Sequence, residues 1–239
     1  MKRALVTGGS GGIGAAICRR LAADGCYVYV HANSNPTKAA ALAEEIRQAG
    51  GAAEAIAFDV TDAEASRRIL EALVVDTPIQ VLVNNAGVHD DAVFPGMRAE
   101  QWHKVLDVSL NGFFNVTQPL TLAMVRSRWG RIINITSIAG LAGNRGQVNY
   151  AAAKGGLHAA TKSLSLELAS RGITVNAVAP GIIRTGMIDG VFDDKAIATL
   201  VPMKRAGRPE EVADLVGFLA SDQASYISGQ IISVCGGMT

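Results

Sequence analysis

The stretch that most limits what this chain can fold into lies at its start. Ala4-Leu5-Val6 is a short apolar run that ends in Thr7-Gly8-Gly9-Ser10-Gly11-Gly12-Ile13-Gly14. Beyond it, Ile13, Ile17 and Leu21 recur at helical spacing. Strand, glycine turn and helix in that order open a βαβ unit. The glycines permit backbone conformations and close approaches that a Cβ forbids. The amides of the turn and of the helix N-terminus then make a site for a pyrophosphate. The spacing is TGxxxGxG rather than GxGxxG. Glycine turns also occur for purely structural reasons, but one set between a first strand and a first helix points to phosphate.

The rest of the chain keeps the same alternation. Tyr27 to His31 reads as a strand, and a helix runs from Pro36 through Ile46 to the stop at Gly50-Gly51. Ala53 to Phe58 is a third strand, and Thr61-Asp62-Ala63-Glu64 is a capping box opening the next helix. Val81-Leu82-Val83 is an apolar strand, followed by a loop at Val88 to Gly96 and a long helix from Glu100 to Arg126. Gly130 to Ile135 and Ile173 to Val178 are further strands, with a helix at Tyr150 to Ala169 between them. A last helix starts at Pro209, and Gln230 to Val234 is the last strand. This predicts an α/β Rossmann fold: a doubly wound parallel sheet of about seven strands with helices on both faces. The 239 residues suit one such domain, 1–239, and no repeat or linker divides them. Residues 186–208 are weakly patterned and sit where a substrate lid is expected.

Several classes of function are excluded. A formal net charge of +1 leaves no footprint for nucleic acid. No apolar stretch is long enough for a bilayer, and the N-terminus has no signal-peptide core. Cys18, Cys26 and Cys235 are scattered and odd in number, which fits reduced thiols in the cytoplasm. His89 has no partner at metal-ligand spacing, so no metal is expected.

In a doubly wound sheet, ligands bind outside the carboxyl ends of the strands. After the second strand come Ala32, Asn33, Ser34 and Asn35, with no carboxylate to hold a ribose 2′-hydroxyl and reject a 2′-phosphate. That favours NADP(H), with Asn33 and Ser34 as donors and Lys38 as a source of charge. Ser34 or Asn35 also suits the cap of the helix at Pro36. Asp59, beside Val60, is either an adenine contact or a turn former. Asn84-Asn85-Ala86-Gly87 permits close approach of a cofactor ribose or of a neighbouring strand, and Asn84 suits a tie between strand ends. Asn111 is a poor helix former inside a helix. Either it bonds a carbonyl at a local distortion and holds a water, or it lies at the surface.

Ser137 follows the strand at Gly130 to Ile135, and Tyr150-Ala151-Ala152-Ala153-Lys154 opens the next helix. A tyrosine and a lysine four apart share one helix face. The ammonium is expected to lower the phenol's pKa from about 10, letting it exchange a proton with a substrate oxygen. Ser137 is placed to bond that same oxygen. Standing alone, Tyr150 and Lys154 would read as a solvated pair.

Together, Thr7-Gly8-x-x-x-Gly12-x-Gly14, Asn84-Asn85-Ala86-Gly87, Ser137 with Tyr150-x-x-x-Lys154, and Pro180-Gly181 resemble the short-chain dehydrogenase/reductases over the whole chain. The resemblance implies hydride transfer between a nicotinamide and a carbonyl or alcohol. Tyr150 would be the acid/base, Lys154 would tune it and hold the nicotinamide ribose, and Ser137 would orient the substrate oxygen. Asn111 would order a water in a proton relay to Lys154. The same match implies cofactor contacts from Thr7, Gly8, Ser10, Gly12, Ile13, Gly14, Asn33, Ser34, Asp59, Val60, Asn85, Ala86, Gly87, Pro180, Gly181, Ile183 and Thr185. Within the family the chain is most similar to 3-oxoacyl-[acyl-carrier-protein] reductases, through Asn149 to Lys154, Ser170 to Asn176 and Tyr226-Ile227-Ser228-Gly229. That implies NADPH as cofactor and an acyl carrier protein as partner, docked on Arg128 and Arg171, in fatty-acid or polyketide/polyene-type synthesis. A homotetramer, pairing the helices of Asn111 and Tyr150, is implied too. Gly11 departs from relatives that carry arginine there against the 2′-phosphate. The alternatives are a reductase of acyl-CoA, sugar or other free ketones, and a non-catalytic dinucleotide sensor.

Overall fold

The apolar runs become strands buried on both faces, which is why they lack a polar alternate. A computed structural model of the protein describes every residue except Ser34 and residues 186–192. Among the described residues, seven strands form one sheet: β1 Arg3–Val6, β2 Tyr27–Ala32, β3 Ala52–Ala57, β4 Val81–Asn84, β5 Gly130–Ile135, β6 Ile173–Pro180 and β7 Ile231–Val234. All pairs are parallel, in the order β3-β2-β1-β4-β5-β6-β7. The helices are α1 Gly12–Ala23, α2 Pro36–Gln48, α3 Ala63–Leu73, α4 Ala99–Leu106, α5 Gly112–Ser127, α6 Ala139–Ala142, α7 Val148–Leu168, α8 Asp194–Leu200 and α9 Pro209–Ala220.

Successive strand residues serve opposite faces. Val6, Val30, Val83 and Ile133 join Ile17, Leu42 and Val216 of α1, α2 and α9 in one core. Leu5, Tyr29, Leu82 and Ile132 join Leu70, Leu120 and Leu168 of α3, α5 and α7 in the other. The strand order reverses between β1 and β4, so the connections leaving them part and open a crevice at the carboxyl edge.

Polar ties cross this interior. Asn84 donates through Nδ2 to Thr117 Oγ1 at 3.0 Å and to Asn134 Oδ1 at 2.9 Å. Asn134 donates on to Thr161 Oγ1 at 2.8 Å. This is the strand-end tie expected of Asn84, and it reaches helices on the same face.

Two local expectations are corrected. The helix expected from Glu100 to Arg126 is interrupted by a π turn at Asp107–Asn111, between α4 and α5. The cap of α3 is Asp62, whose carboxylate accepts the Ala65 amide at 2.9 Å. Thr61 instead donates its amide and its hydroxyl to Asp59 Oδ1, both at 2.8 Å. The lid region lies partly outside the described residues, at 186–192. Its remainder carries α8, with Ile197, Val201 and Ala206 in a small core against Ile182 and Met238.

Replacing Asn134 by leucine removes its bonds to Asn84 and Thr161 in a buried layer, leaving each with a single partner. Urea unfolding of Asn134→Leu is expected to show a loss of about 1–3 kcal/mol.

Candidate active site

The glycine turn is clamped between neighbouring strand ends. Thr7 Oγ1 accepts the amides of Asn85 and Ala86, both at 3.0 Å. Asn85 Nδ2 donates in return to the carbonyls of Thr7 and Gly8, each at 3.0 Å. Gly8 adopts a φ of 61°, which glycine tolerates. A Cβ at Gly14 would lie 2.3 Å from the Gly8 carbonyl oxygen, so glycine is what lets α1 start this close to the turn. Gly11 precedes α1 without a side-chain cap, and the first turn holds no acid. The leading amides at Gly12 and Ile13 are thus open to an anion. Ser10 stands half-buried beside them.

His31 holds the other flank. It is 1% exposed. Its Nε2 lies 2.8 Å from the Phe58 carbonyl and its Nδ1 3.1 Å from the Gly8 amide. One neutral tautomer satisfies both: Nε2–H donates to Phe58, and bare Nδ1 accepts from Gly8. Burial pushes this imidazole down to about 4, so it is neutral at pH 7. The sequence reading treated His31 only as a strand residue. The available signal was a titratable group ending a strand at the ligand edge.

After β3, Asp59 is a turn former. Its carboxyl is held below the usual range first by the Thr61 amide, with the Thr61 hydroxyl and the exposed Asn33 side chain assisting. Val60 is buried against Gly112, where a Cβ would lie 3.0 Å from Val60 Cγ2. Asn35 caps α2 by accepting the Lys38 amide at 3.3 Å. Ser34 lies outside the described residues.

Ser137, Tyr150 and Lys154 come together at the ends of β5 and α7. The Ser137 Oγ accepts the Ala139 amide at 3.1 Å. A Cβ at Gly140 would lie 2.7 Å from the Gly155 nitrogen and 2.8 Å from the Lys154 carbonyl carbon. The Ser137 turn therefore rests directly on the α7 backbone beside Lys154. Lys154 Nζ donates to the Ile135 carbonyl at 2.9 Å and lies 5.6 Å from the centre of the Tyr150 ring. A Cβ at Gly87 would be 3.2 Å from the same Nζ, so the end of β4 meets the lysine.

The direction of the tyrosine's pKa corrects the sequence expectation. Burial raises the Tyr150 phenol above its ordinary value; Ser137 acts to lower it, and Asp91 adds to the rise. Lys154, 3% exposed, is itself pushed down to about 8 by burial. In the protein alone, desolvation outweighs the Ser137 hydrogen bond. Tyr150 is thus protonated at neutral pH, as a proton donor must be.

Asn149, unremarked as a site residue, aims Tyr150. It is fully buried; its Nδ2 donates to the carbonyls of Asp90 and Gln101 at 3.0 Å, and its Oδ1 accepts the Tyr150 amide at 2.8 Å. The Val88 to Gly96 loop is thereby pinned to the start of α7. His158, one turn after Lys154, lies 2.9 Å from Thr136 Oγ1 and braces the strand end before Ser137.

The remaining candidates divide. The Pro180 carbonyl accepts the Ile138 amide at 3.1 Å, and the Gly181 amide donates to Val234 at 3.0 Å. Ile183 is buried. Thr185 stands over α1, where a Cβ at Gly12 would lie 2.7 Å from Thr185 Cγ2. Asn111 lies at the expected distortion but is exposed, and its Nδ2 donates to Asp107 Oδ1 at 2.7 Å. Arg128 and Arg171 are exposed neighbours, with Arg128 Nη2 on the Ser170 carbonyl at 3.1 Å. They precede β5 and β6, so they sit at the opposite edge of the sheet, about 20 Å from the crevice. Among the described residues no His, Cys, Asp and Glu cluster could hold a metal, and no helix is long and apolar enough to cross a membrane.

Two outcomes follow from the buried groups. Lys154 must be charged to act, so kcat/KM is expected to fall as pH rises through about 8. A pH–rate profile checks this. His31→Leu strands the Gly8 amide and the Phe58 carbonyl. Dinucleotide affinity, followed by fluorescence titration, is expected to weaken by roughly tenfold or more.

Comparison with known proteins agrees with this geometry. A family model described as short chain dehydrogenase matches residues 2–196. The chain is 45% identical over 240 residues to the 3-oxoacyl-[acyl-carrier-protein] reductase FabG of Staphylococcus aureus, covering 99% of this chain and 98% of the relative. It is 44% identical to the protein of the same name from Aggregatibacter actinomycetemcomitans, covering 98% of each. It is also 43% identical to nodulation protein G of Azospirillum brasilense, covering 99% of this chain and 98% of the relative. A cradle for a dinucleotide, a Ser–Tyr–Lys cluster facing it and a match over most of the chain make this protein a member of the short-chain dehydrogenase family, an oxidoreductase that uses a nicotinamide dinucleotide.

Proposed function

We propose that the protein reduces a 3-oxoacyl thioester on an acyl carrier protein to the 3-hydroxyacyl thioester, with NADPH as reductant. The observation that carries this reading is the meeting of Ser137, Tyr150 and Lys154 at the strand ends beside the glycine turn. The near full-length identity to reductases of that name supports the substrate class.

The residues present fit the dinucleotide. Thr7, Gly8, Ser10, Gly12, Ile13 and Gly14 would hold its pyrophosphate; Asn33, Ser34, Asp59 and Val60 its adenosine end. Asn85, Ala86, Gly87, Tyr150 and Lys154 would hold its nicotinamide ribose, and Pro180, Gly181, Ile183 and Thr185 the nicotinamide. When bound, the cofactor supplies the hydride to the ketone carbon. The protein handles the oxygen. As negative charge develops there, Ser137 and Tyr150 donate hydrogen bonds, and Tyr150 gives up its proton to make the hydroxyl. Lys154 stabilises the phenolate left behind. NADPH rather than NADH is favoured because no carboxylate follows β2, while Lys38 is exposed in the first turn of α2.

Carrier docking on Arg128 and Arg171 would present the acyl chain far from this chain's own crevice, so it implies delivery to a neighbouring copy. A homotetramer suits that arrangement, and Phe114, Leu122 and Leu166 are exposed on α5 and α7. Light scattering is expected to give four times the 24.9 kDa chain mass. A cytoplasmic location fits the three free cysteines.

Tyr150→Phe is expected to bind NADPH normally and lose about two to four orders of magnitude in kcat; undiminished turnover would remove the acid/base assignment. Relative kcat/KM for carrier-linked, CoA-linked and free 3-oxo substrates, each with NADPH and NADH, tests the substrate and cofactor. A preference for free ketones or for NADH counts against the proposal.

A further inference from the structure

We propose that His158 sets the position of the Ser137 hydroxyl by gripping both ends of the turn that carries it. The inference rests on the reductase reading above and adds a positioning residue to it.

Tyr150, Lys154 and His158 follow one another at intervals of four along α7, so they share one face of that helix. His158 is buried, at 8% exposure. Nothing in the proton transfer requires its imidazole. The ring instead lies between the two ends of the Ser137 turn. Before Ser137, Nε2 lies 2.9 Å from Thr136 Oγ1. After it, a Cβ on Gly140 would lie 2.9 Å from the imidazole Cε1, and the Gly140 carbonyl faces the ring as a hydrogen-bond acceptor.

These neighbours select one form of the ring. Burial holds His158 below its ordinary range; the Gly140 carbonyl opposes this, and the Lys154 and Lys162 charges add to it. The imidazole is therefore neutral at pH 7. A carbonyl can only accept, so the proton sits on Nδ1 and is donated to Gly140. Nε2 is then bare and accepts from the Thr136 hydroxyl. That hydroxyl has the Val178 carbonyl as its other neighbour, at 3.0 Å. The Thr136 amide also donates to Val178, at 2.8 Å, so the carbonyl stays paired when the hydroxyl turns to His158.

The bonds inside the turn fix its shape. Ser137 Oγ accepts the Ala139 amide at 3.1 Å, and the Ser137 carbonyl accepts the Gly140 amide at 3.0 Å. The Ser137 O–H remains free to donate, with Tyr150 in its reach. What stands the turn correctly against α7 is a different set of contacts. Gly140 rests on the helix backbone at Lys154 and Gly155, and that contact has no direction of its own. The His158 bonds do have direction. A leucine would fill the same space and make neither bond. Misplacing a reacting group by about 1 Å costs about a hundredfold in rate, so a small shift of this turn is felt at the substrate oxygen.

The test compares wild type, His158→Leu, His158→Gln, Ser137→Ala, Ser137→Ala combined with His158→Leu, and Tyr150→Phe in NADPH-dependent reduction of a 3-oxoacyl thioester. His158→Leu is expected to lower kcat about tenfold or more, with NADPH affinity unchanged. His158→Gln, whose amide can donate to Gly140 and accept from Thr136, should recover most of the rate. On top of Ser137→Ala, the leucine should add less than about a twofold loss, because His158 acts through that hydroxyl. Wild-type kcat in His158→Leu, a loss that glutamine does not recover, or a full-sized loss in the Ser137→Ala background overturns the proposal. Nitrogen NMR of the wild type should show His158 neutral at pH 7 with its proton on Nδ1; a ring protonated on Nε2 overturns the proposal even if the variants fail to fold. Absent wild-type turnover, or full turnover by Tyr150→Phe, overturns the reductase reading itself, which the other arms leave standing.

Discussion

A lysine ammonium carried inside the fold is the constraint on which the rest depends. Lys154 is almost wholly buried, with one protein carbonyl as acceptor, and removing a charge from water is costly. The surrounding backbone makes room for it by omitting side chains. Gly87 closes on its Nζ, and Gly140 rests on the peptide that follows it. The sheet supplies the Ile135 carbonyl from the end of β5. A group so under-bonded in the protein alone is prepared for partners that arrive with cofactor and solvent. Its lowered pKa is the measurable sign of that preparation.

The same burial sets the character of the tyrosine. A phenol kept protonated at neutral pH suits the direction in which an oxygen gains a proton. Acidity is needed only as charge develops on the substrate, when the nearby ammonium can offset it. The cofactor side follows a parallel logic. A buried neutral imidazole, His31, fixes the Gly8 amide in one tautomer, and Asn85 fixes the carbonyls beside it. The turn is therefore formed before any phosphate reaches it, and preorganisation of this kind lowers the entropic cost of binding.

Much of this was legible in one dimension. The glycine turn, the alternation of strands and helices and the Tyr150–Lys154 spacing each encode local geometry, and the seven-strand sheet follows from their repetition. What escaped were effects produced by neighbours distant in sequence. The Thr61-x-x-Glu64 pattern is a sound capping box, but Asp59 takes both donors of Thr61 and the cap passes to Asp62. Asn111 marked a distortion in its helix correctly. Its side chain is exposed there and donates to Asp107. Asn149 looked like any residue preceding Tyr150 until the fold brought Gln101 and Asp90 to it.

Taken by itself, the sequence determined the chemistry available: a phosphate-binding turn, a proton-transfer pair and a serine, each ending a strand or opening a helix. Periodicity and spacing act over one or two turns of chain, and these features need nothing longer. Tertiary structure decided the energetics. The fold buries Lys154 and half-buries Tyr150, and desolvation raises the tyrosine's pKa and lowers the lysine's. It also leaves the Ser109 hydroxyl without a partner among the described residues and puts Arg128 and Arg171 at the edge remote from the crevice. Desolvation, register between helices and the direction of a parallel sheet are properties of packed neighbours, and the linear order of residues does not contain them.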